Sequence, residues 1–160
     1  PYYLAHKAKE IGFDPEMIAS GRTINNGMGS YIAIEVSKLM SKKRINLVDA
    51  NVLIMGLSFK ENSPDIRNSG VARLVTTLES FNCNVHVYDP WIDKDEAQEE
   101  FNIELLNEPE KGKYDAIILA VAHDEFKELS SEEIRSYGSK NHVLYDIKYL
   151  LDQSEVDGRL

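Results

Sequence analysis

Lys60, Asn62, Ser63, Asp65 and Arg67 are the residues whose types and crowding could do chemistry. They share one polar loop, directly after the apolar run Val52 to Met55 and Gly56. Two cations so close suit an anionic ligand, a phosphate above all, because charge-assisted hydrogen bonds are the strong ones. Phe59 sets an apolar face beside the lysine. Past the loop, Asn68 or Ser69 is placed to cap a helix carrying Val71, Leu74, Val75 and Leu78, whose free N–H groups would add to the pull on an anion. The same spacing also fits a plain strand–loop–helix, with Lys60 solvated and an Asp65–Arg67 pair fixing the turn.

The loop departs from the dinucleotide fingerprint. That pattern needs glycines at G-x-G-x-x-G, and here Gly56 is followed by Leu57, Ser58 and Phe59. Close backbone approach to a pyrophosphate is disfavoured, so side chains, Phe59 and Lys60 foremost, must make the contacts. Asp89 closes the apolar stretch Val85 to Tyr88, where a dinucleotide fold puts the acid that holds a ribose. With Pro90 it equally ends a strand in a turn. His123 follows the run Ala116 to Val121 on the edge where ligands gather, either as a ligand contact or as a partly exposed loop histidine. No second His or Cys is near it in sequence, so no metal site is expected. Cys83, the single cysteine, excludes an internal disulfide and reads as a structural thiol between Asn82 and Asn84. No nucleophile elbow or phosphate loop occurs.

These residues need a scaffold, and the periodicity supplies one. Residues 1 to 12 read as a helix stopped by Gly12. Asp14 is a candidate N-cap, with Pro15 opening a helix that runs to about Lys43 through Met17, Ile18, Ile24, Met28, Tyr31, Ile32, Val36, Leu39 and Met40. Kinks are expected near Gly21 or around Gly27 and Gly29. Two such helices cannot bury their own apolar faces and need a partner. Buried strands are expected at 52–55, 85–88, 114–121 and 143–145, with a weak one near 103–105. Helices fall between them at 71–78, 95–101 and 130–137, the last with a Ser130 or Ser131 to Glu133 capping arrangement. The acidic run Asp93 to Glu100 reads as a solvated helix face. The alternation predicts an α/β fold, a mostly parallel doubly wound sheet preceded by a helical segment. Residues 1–46 form the helical unit and 47–160 the sheet unit; the tail from Asp152 shows no periodicity.

Composition sets the outer bounds. The chain has 160 residues and a formal net charge of −9, which disfavours a nucleic-acid footprint. No apolar run is long enough to span a membrane. A chain that opens on Pro1, without methionine or signal peptide, is expected to be part of something longer.

Gly56-Leu57-Ser58-Phe59-Lys60-Glu61-Asn62 followed by Asp65-Ile66-Arg67-Asn68-Ser69 resembles the C-terminal signature of the UDP-glucose/GDP-mannose dehydrogenase family. Pro1-Tyr2-Tyr3-Leu4, Gly21-Arg22-Thr23-Ile24-Asn25 with Met28, Val121-Ala122-His123 and Asp157-Gly158-Arg159-Leu160 resemble its bacterial branch acting on UDP-N-acetylhexosamines. The resemblance implies a Rossmann-like UDP-sugar domain behind a dimerising helix over 15–43, in a cytoplasmic, NAD-dependent 6-dehydrogenase that makes uronic acids for capsule or O-antigen polysaccharide. It implies that Phe59 and Lys60 contact the UDP-sugar and that Arg67 reaches an NAD held by an N-terminal domain. Asp65 would orient Arg67, Arg159 would lie near the substrate, and His123 would support the site. The catalytic Cys, Lys and Asn of the family have no match here and Cys83 does not replace them, so this chain alone would be inactive and would bind no NAD. Two other readings stay open: a non-catalytic dimerising assembly module, and a degenerate NAD(P)-binding domain using Asp89 on the ribose.

Overall fold

The alternating strands and helices resolve into one parallel sheet in the computed structural model, which describes residues 2–160. Its five strands are β1 (Asn51–Met55), β2 (Asn84–Tyr88), β3 (Tyr114–Leu119), β4 (Gly138–Asp146) and β5 (Gly158–Arg159), in the order β2-β1-β3-β4-β5. Every pairing is parallel. Successive strand residues point to opposite faces, so each central strand feeds two cores. Val52, Ile54, Ala116, Ile118, Val143 and Tyr145 belong to one cluster; Leu53, Met55, Ile117, Leu119 and Leu144 belong to the other.

Helices close both faces. The first cluster is completed by α2 (Glu16–Lys42), through Ile32, Ala33, Val36 and Met40, and by α3 (Val71–Ser80), through Leu74, Val75 and Leu78. Ala97 of α4 (Lys94–Phe101) joins them. The second face is covered by Phe126 of α5 (Asp124–Lys127) and Ile134 of α6 (Ser131–Arg135). The helix α1 (Tyr2–Glu10) lies ahead of this body. Only the C-terminal half of α2 enters the core. Met17 and Ile24, on its N-terminal half, are exposed, as are Leu4, Ile11 and Phe13 before it. No described helix is long and apolar enough to cross a membrane.

Several local expectations change. Asp14 does not cap α2: the N-cap is Pro15, without a side-chain cap bond, and the Asp14 carbonyl accepts the Glu16 N–H instead. The proline sets its own φ, and Glu16 brings a carboxylate to the first turn, where the helix dipole favours it. Gly21, Gly27 and Gly29 all lie within one uninterrupted α2. The N-cap of α3 is Gly70, while Ser69 Oγ accepts the Val71 N–H at 3.2 Å. The weak strand near 103–105 shrinks to a single bridge, Val87 to Leu105. The aperiodic tail is ordered: a 3-10 turn at Gln153–Glu155 precedes β5. A two-residue strand carries no period to read, and side chains hold it in place. Asp157 takes the Lys43 ammonium at 2.5 Å, Arg135 at 3.3 Å and the Leu144 N–H at 2.8 Å.

Candidate functional site

Because β2 and β3 lie on opposite sides of β1, the chain leaves β1 one way for β2 and returns across it to β3. The carboxyl edge between β1 and β3 is therefore the topological switch point, where parallel sheets open a crevice. Gly56 makes the exit from β1 possible. Its φ is +102°, and a Cβ there would stand 2.5 Å from the Cβ of Val121, just past β3.

Polar groups at three strand ends converge on this edge. Asp89, after β2, accepts the Leu57 N–H at 2.6 Å and the Ser58 N–H at 2.9 Å through Oδ2, and the Trp91 N–H at 2.8 Å through Oδ1. His123, after β3, brings Nε2 to 3.1 Å from the same Asp89 Oδ2 and to 3.1 Å from Ser58 Oγ. The Asn62 N–H donates to His123 Nδ1 at 2.9 Å, which leaves the ring proton on Nε2. Ser58 Oγ donates to the Lys60 carbonyl at 2.9 Å. Burial alone would raise the Asp89 carboxyl, yet the His123 bond and the three backbone N–H groups outweigh it and hold it below its ordinary value.

This arrangement corrects two expectations. His123 is not a partly exposed loop histidine; it is fully buried. Asp89 does not stand ready for a ribose, since both its oxygens are committed internally. The backbone N–H groups that hold phosphate in a dinucleotide fold are here taken by the protein's own carboxylate. The loop after β1 therefore does not fit an NAD pyrophosphate, in agreement with its missing glycines. The signal in sequence was a polar residue directly behind each apolar run, at Asp89 and His123, and again at the buried Asp146, whose carboxylate takes the N–H groups of Lys148 and Leu151.

Outside this buried knot the loop turns its side chains to solvent. Phe59 is 48% exposed, and the Lys60 ammonium lies 5.6 Å from its ring centroid. Phe59 is a shared wall of two cavities. One, of about 190 Å³, opens at the switch point between Ser58, Val121, Ile147, Lys148 and Leu160, with Ile32 of α2 behind. The other, of about 890 Å³, runs between α2 and α3 past Arg22, Asn25, Asn68, Ser69 and Arg73. Lys60 lines neither of them.

The remaining candidates divide. Asp65 grips Arg67 in a two-point fork, Nε to Oδ1 at 2.9 Å and Nη2 to Oδ2 at 3.0 Å, with the Arg67 N–H also on Oδ1. The Arg67 hydrogen bonds, side chain first, hold the Asp65 carboxyl below its ordinary value. Arg67 remains exposed. Arg159 lies three strand positions from β1 on the same edge, roughly 14 Å at ordinary strand spacing. It stacks on Tyr149 at 4.7 Å and donates to Gln153 at 2.8 Å, so the structure does not bring it to Lys60. Cys83 is buried, and burial pushes its thiol up, as suits a structural role.

Comparison with known proteins gives concordant findings. The model of the UDP-glucose/GDP-mannose dehydrogenase family, UDP binding domain, matches residues 53–153. A UDP-N-acetyl-D-glucosamine 6-dehydrogenase from Pseudomonas aeruginosa is 51% identical over 160 residues, all of this chain and 38% of that protein. Protein CapL from Staphylococcus aureus is 37% identical over 98% of the chain and 37% of its own length. The chain thus spans less than two fifths of these relatives. A solved NDP-N-acetyl-D-galactosaminuronic acid dehydrogenase from Methanosarcina mazei Go1 shares the fold, with a TM-score of 0.81 at 19% identity over 96% of this chain and 34% of that one.

Proposed function

The chain belongs to the UDP-glucose/GDP-mannose dehydrogenase family through its UDP-binding domain, and from that membership we propose that it is the nucleotide-sugar-binding C-terminal part of an NAD-dependent UDP-N-acetylhexosamine (or UDP-glucose) 6-dehydrogenase. The complete enzyme would oxidise the sugar C6 alcohol to a carboxylate in the cytoplasm, supplying uronic acids for capsule or O-antigen polysaccharide. The observation that carries this reading is Phe59, half-exposed at the switch point and shared by both cavities, with the Lys60 ammonium 5.6 Å from its ring centroid. Phe59 offers an apolar wall and Lys60 a charge for the diphosphate. NAD, which this domain's own loop does not fit, would be held by a separate N-terminal domain and reached by Arg67, whose guanidinium Asp65 holds in a fork. The catalytic cysteine also lies outside this chain. Residues 1–46 would form the dimerising unit, and residues 47–160 the substrate domain.

Substrate kinetics of the full-length enzyme test the reading. A charge-assisted hydrogen bond is worth about 1.5–3 kcal/mol, so Lys60→Ala should weaken nucleotide-sugar affinity by about tenfold to a hundredfold. Unchanged affinity in that variant would remove Lys60 from the site. The exposed apolar strip on α1 and α2 also suits a scaffold without catalysis; calorimetry with UDP separates the two, because a pure scaffold would give no heat.

A further inference from the structure

The knot behind the Phe59–Lys60 lip is almost wholly buried. His123 is 0% exposed, Ser58 2% and Asp89 5%. His123 and Asp89 line neither cavity and Ser58 only edges the smaller one, yet their bonds run to the main chain around Lys60. Ser58 Oγ donates to the Lys60 carbonyl, and the Asn62 N–H donates to His123 Nδ1. Asn62 sits at φ +54°, a left-handed conformation, and its side-chain oxygen accepts the Asp124 N–H at 3.0 Å. Trp91 stacks on the imidazole with centroids 6.3 Å apart and planes 18° apart. Although serine, histidine and aspartate meet here, they do not form a nucleophilic relay. That relay needs the serine and the acid on opposite ring nitrogens, and both partners here share Nε2.

We propose that Asp89, His123 and Ser58 are positioning residues for nucleotide recognition: they fill the anion seat at the end of β1 from within and clamp the main chain at 58–62, so that Phe59 and Lys60 are presented outward at a fixed angle. The proposal rests on the Phe59–Lys60 lip being the nucleotide-sugar contact. It assigns the missing glycines a consequence. With the seat occupied by the chain's own carboxylate, the diphosphate is received one layer further out, by side chains.

Steady-state kinetics and thermal melts of the full-length enzyme decide it, with UDP-N-acetylglucosamine and NAD as the varied substrates. Ser58→Ala removes the tether to the Lys60 carbonyl together with the contact to His123 Nε2, and leaves the Asp89–His123 bond in place. It should raise KM for the nucleotide sugar by about threefold to tenfold, the weight of one buried hydrogen bond, with KM for NAD unchanged. His123→Ala should raise the same KM further, and His123→Gln, which restores a donor toward Asp89, should recover part of the loss. In a Lys60→Ala background, Ser58→Ala should add almost nothing, because both changes act through one contact. The proposal is overturned if Ser58→Ala shifts both KM values equally, or if its effect adds in full to that of Lys60→Ala. If His123→Ala does not fold, the Ser58 cycle still decides. If Lys60→Ala itself leaves the nucleotide-sugar KM unchanged, the lip reading fails and the positioning role falls with it.

Discussion

A carboxylate that accepts the backbone N–H groups at the end of β1 makes acid stability depend on one residue. Asp89 is held below its ordinary value by His123 and three N–H groups despite its burial. A depressed folded value means stability that is present above the unfolded value, about 4 for an aspartate, and lost as pH falls through the folded one. Acid unfolding followed by circular dichroism should show this. Asp89→Asn should cost about 1–3 kcal/mol at neutral pH, the penalty of a buried group left mispaired, and flatten the acid limb. An acid limb identical to the parent's would deny Asp89 that role. Arg67 should behave differently, because its fork with Asp65 is exposed. Arg67→Ala in the full-length enzyme should raise KM for NAD while nucleotide-sugar binding by calorimetry stays the same, and Asp65→Asn should do so more weakly. Legibility at this scale was uneven. The Asp65–Arg67 pair could be read because it is local in sequence. The Asp89–His123 bond joins the ends of β2 and β3, which flank β1 only in the folded sheet, so each residue was visible as a strand-end polar group while their contact was not.

Elements meet at glycines where no side chain fits. Gly56 must turn with φ at +102° while Val121 passes within 2.5 Å of where a Cβ would stand. Gly56→Ala should therefore destabilise by about 1–3 kcal/mol from overpacking alone, with added left-handed strain, read as a lower urea midpoint; an unchanged midpoint would mean the strand ends move apart freely. Gly29 serves the α2–α3 crossing, since a Cβ there would lie 2.8 Å from the Gly70 carbonyl oxygen and the Leu74 nitrogen. The strands β1 to β4 and the Ser130–Glu133 capping box were legible because apolar runs and cap spacing are local signals. The caps of α2 and α3 were misplaced by a residue or two. Proline and glycine took those positions, while Ser69 Oγ accepts the Val71 N–H from one residue further out.

For the whole molecule the contrast within α2 matters most. Ile32, Ala33, Val36 and Met40 are sealed in the core, whereas Met17 is 89% exposed and Ile24 68%. Large apolar side chains at helical spacing in the open mark an interface, and a second copy is the occupant the proposed function assigns. Met17→Asp with Ile24→Asp should shift the full-length protein from dimer to monomer in sedimentation velocity, leaving the far-ultraviolet spectrum intact. A persistent dimer would place the contact elsewhere. The parallel, doubly wound sheet followed from alternation of strands and helices, but the tail did not. Asp157 recruits Lys43, Arg135 and the Leu144 amide from three distant segments, and such an anchor has no signature along the chain.

At 27 residues, α2 is a rod roughly 40 Å long at the usual rise per residue. Its hydrogen-bonded backbone offers no joint between the end sunk in the sheet and the end reaching beyond it. Ile32, in its buried half, backs the smaller cavity beside Phe59, so the exposed end at Met17 and the wall of that cavity belong to one continuous helix.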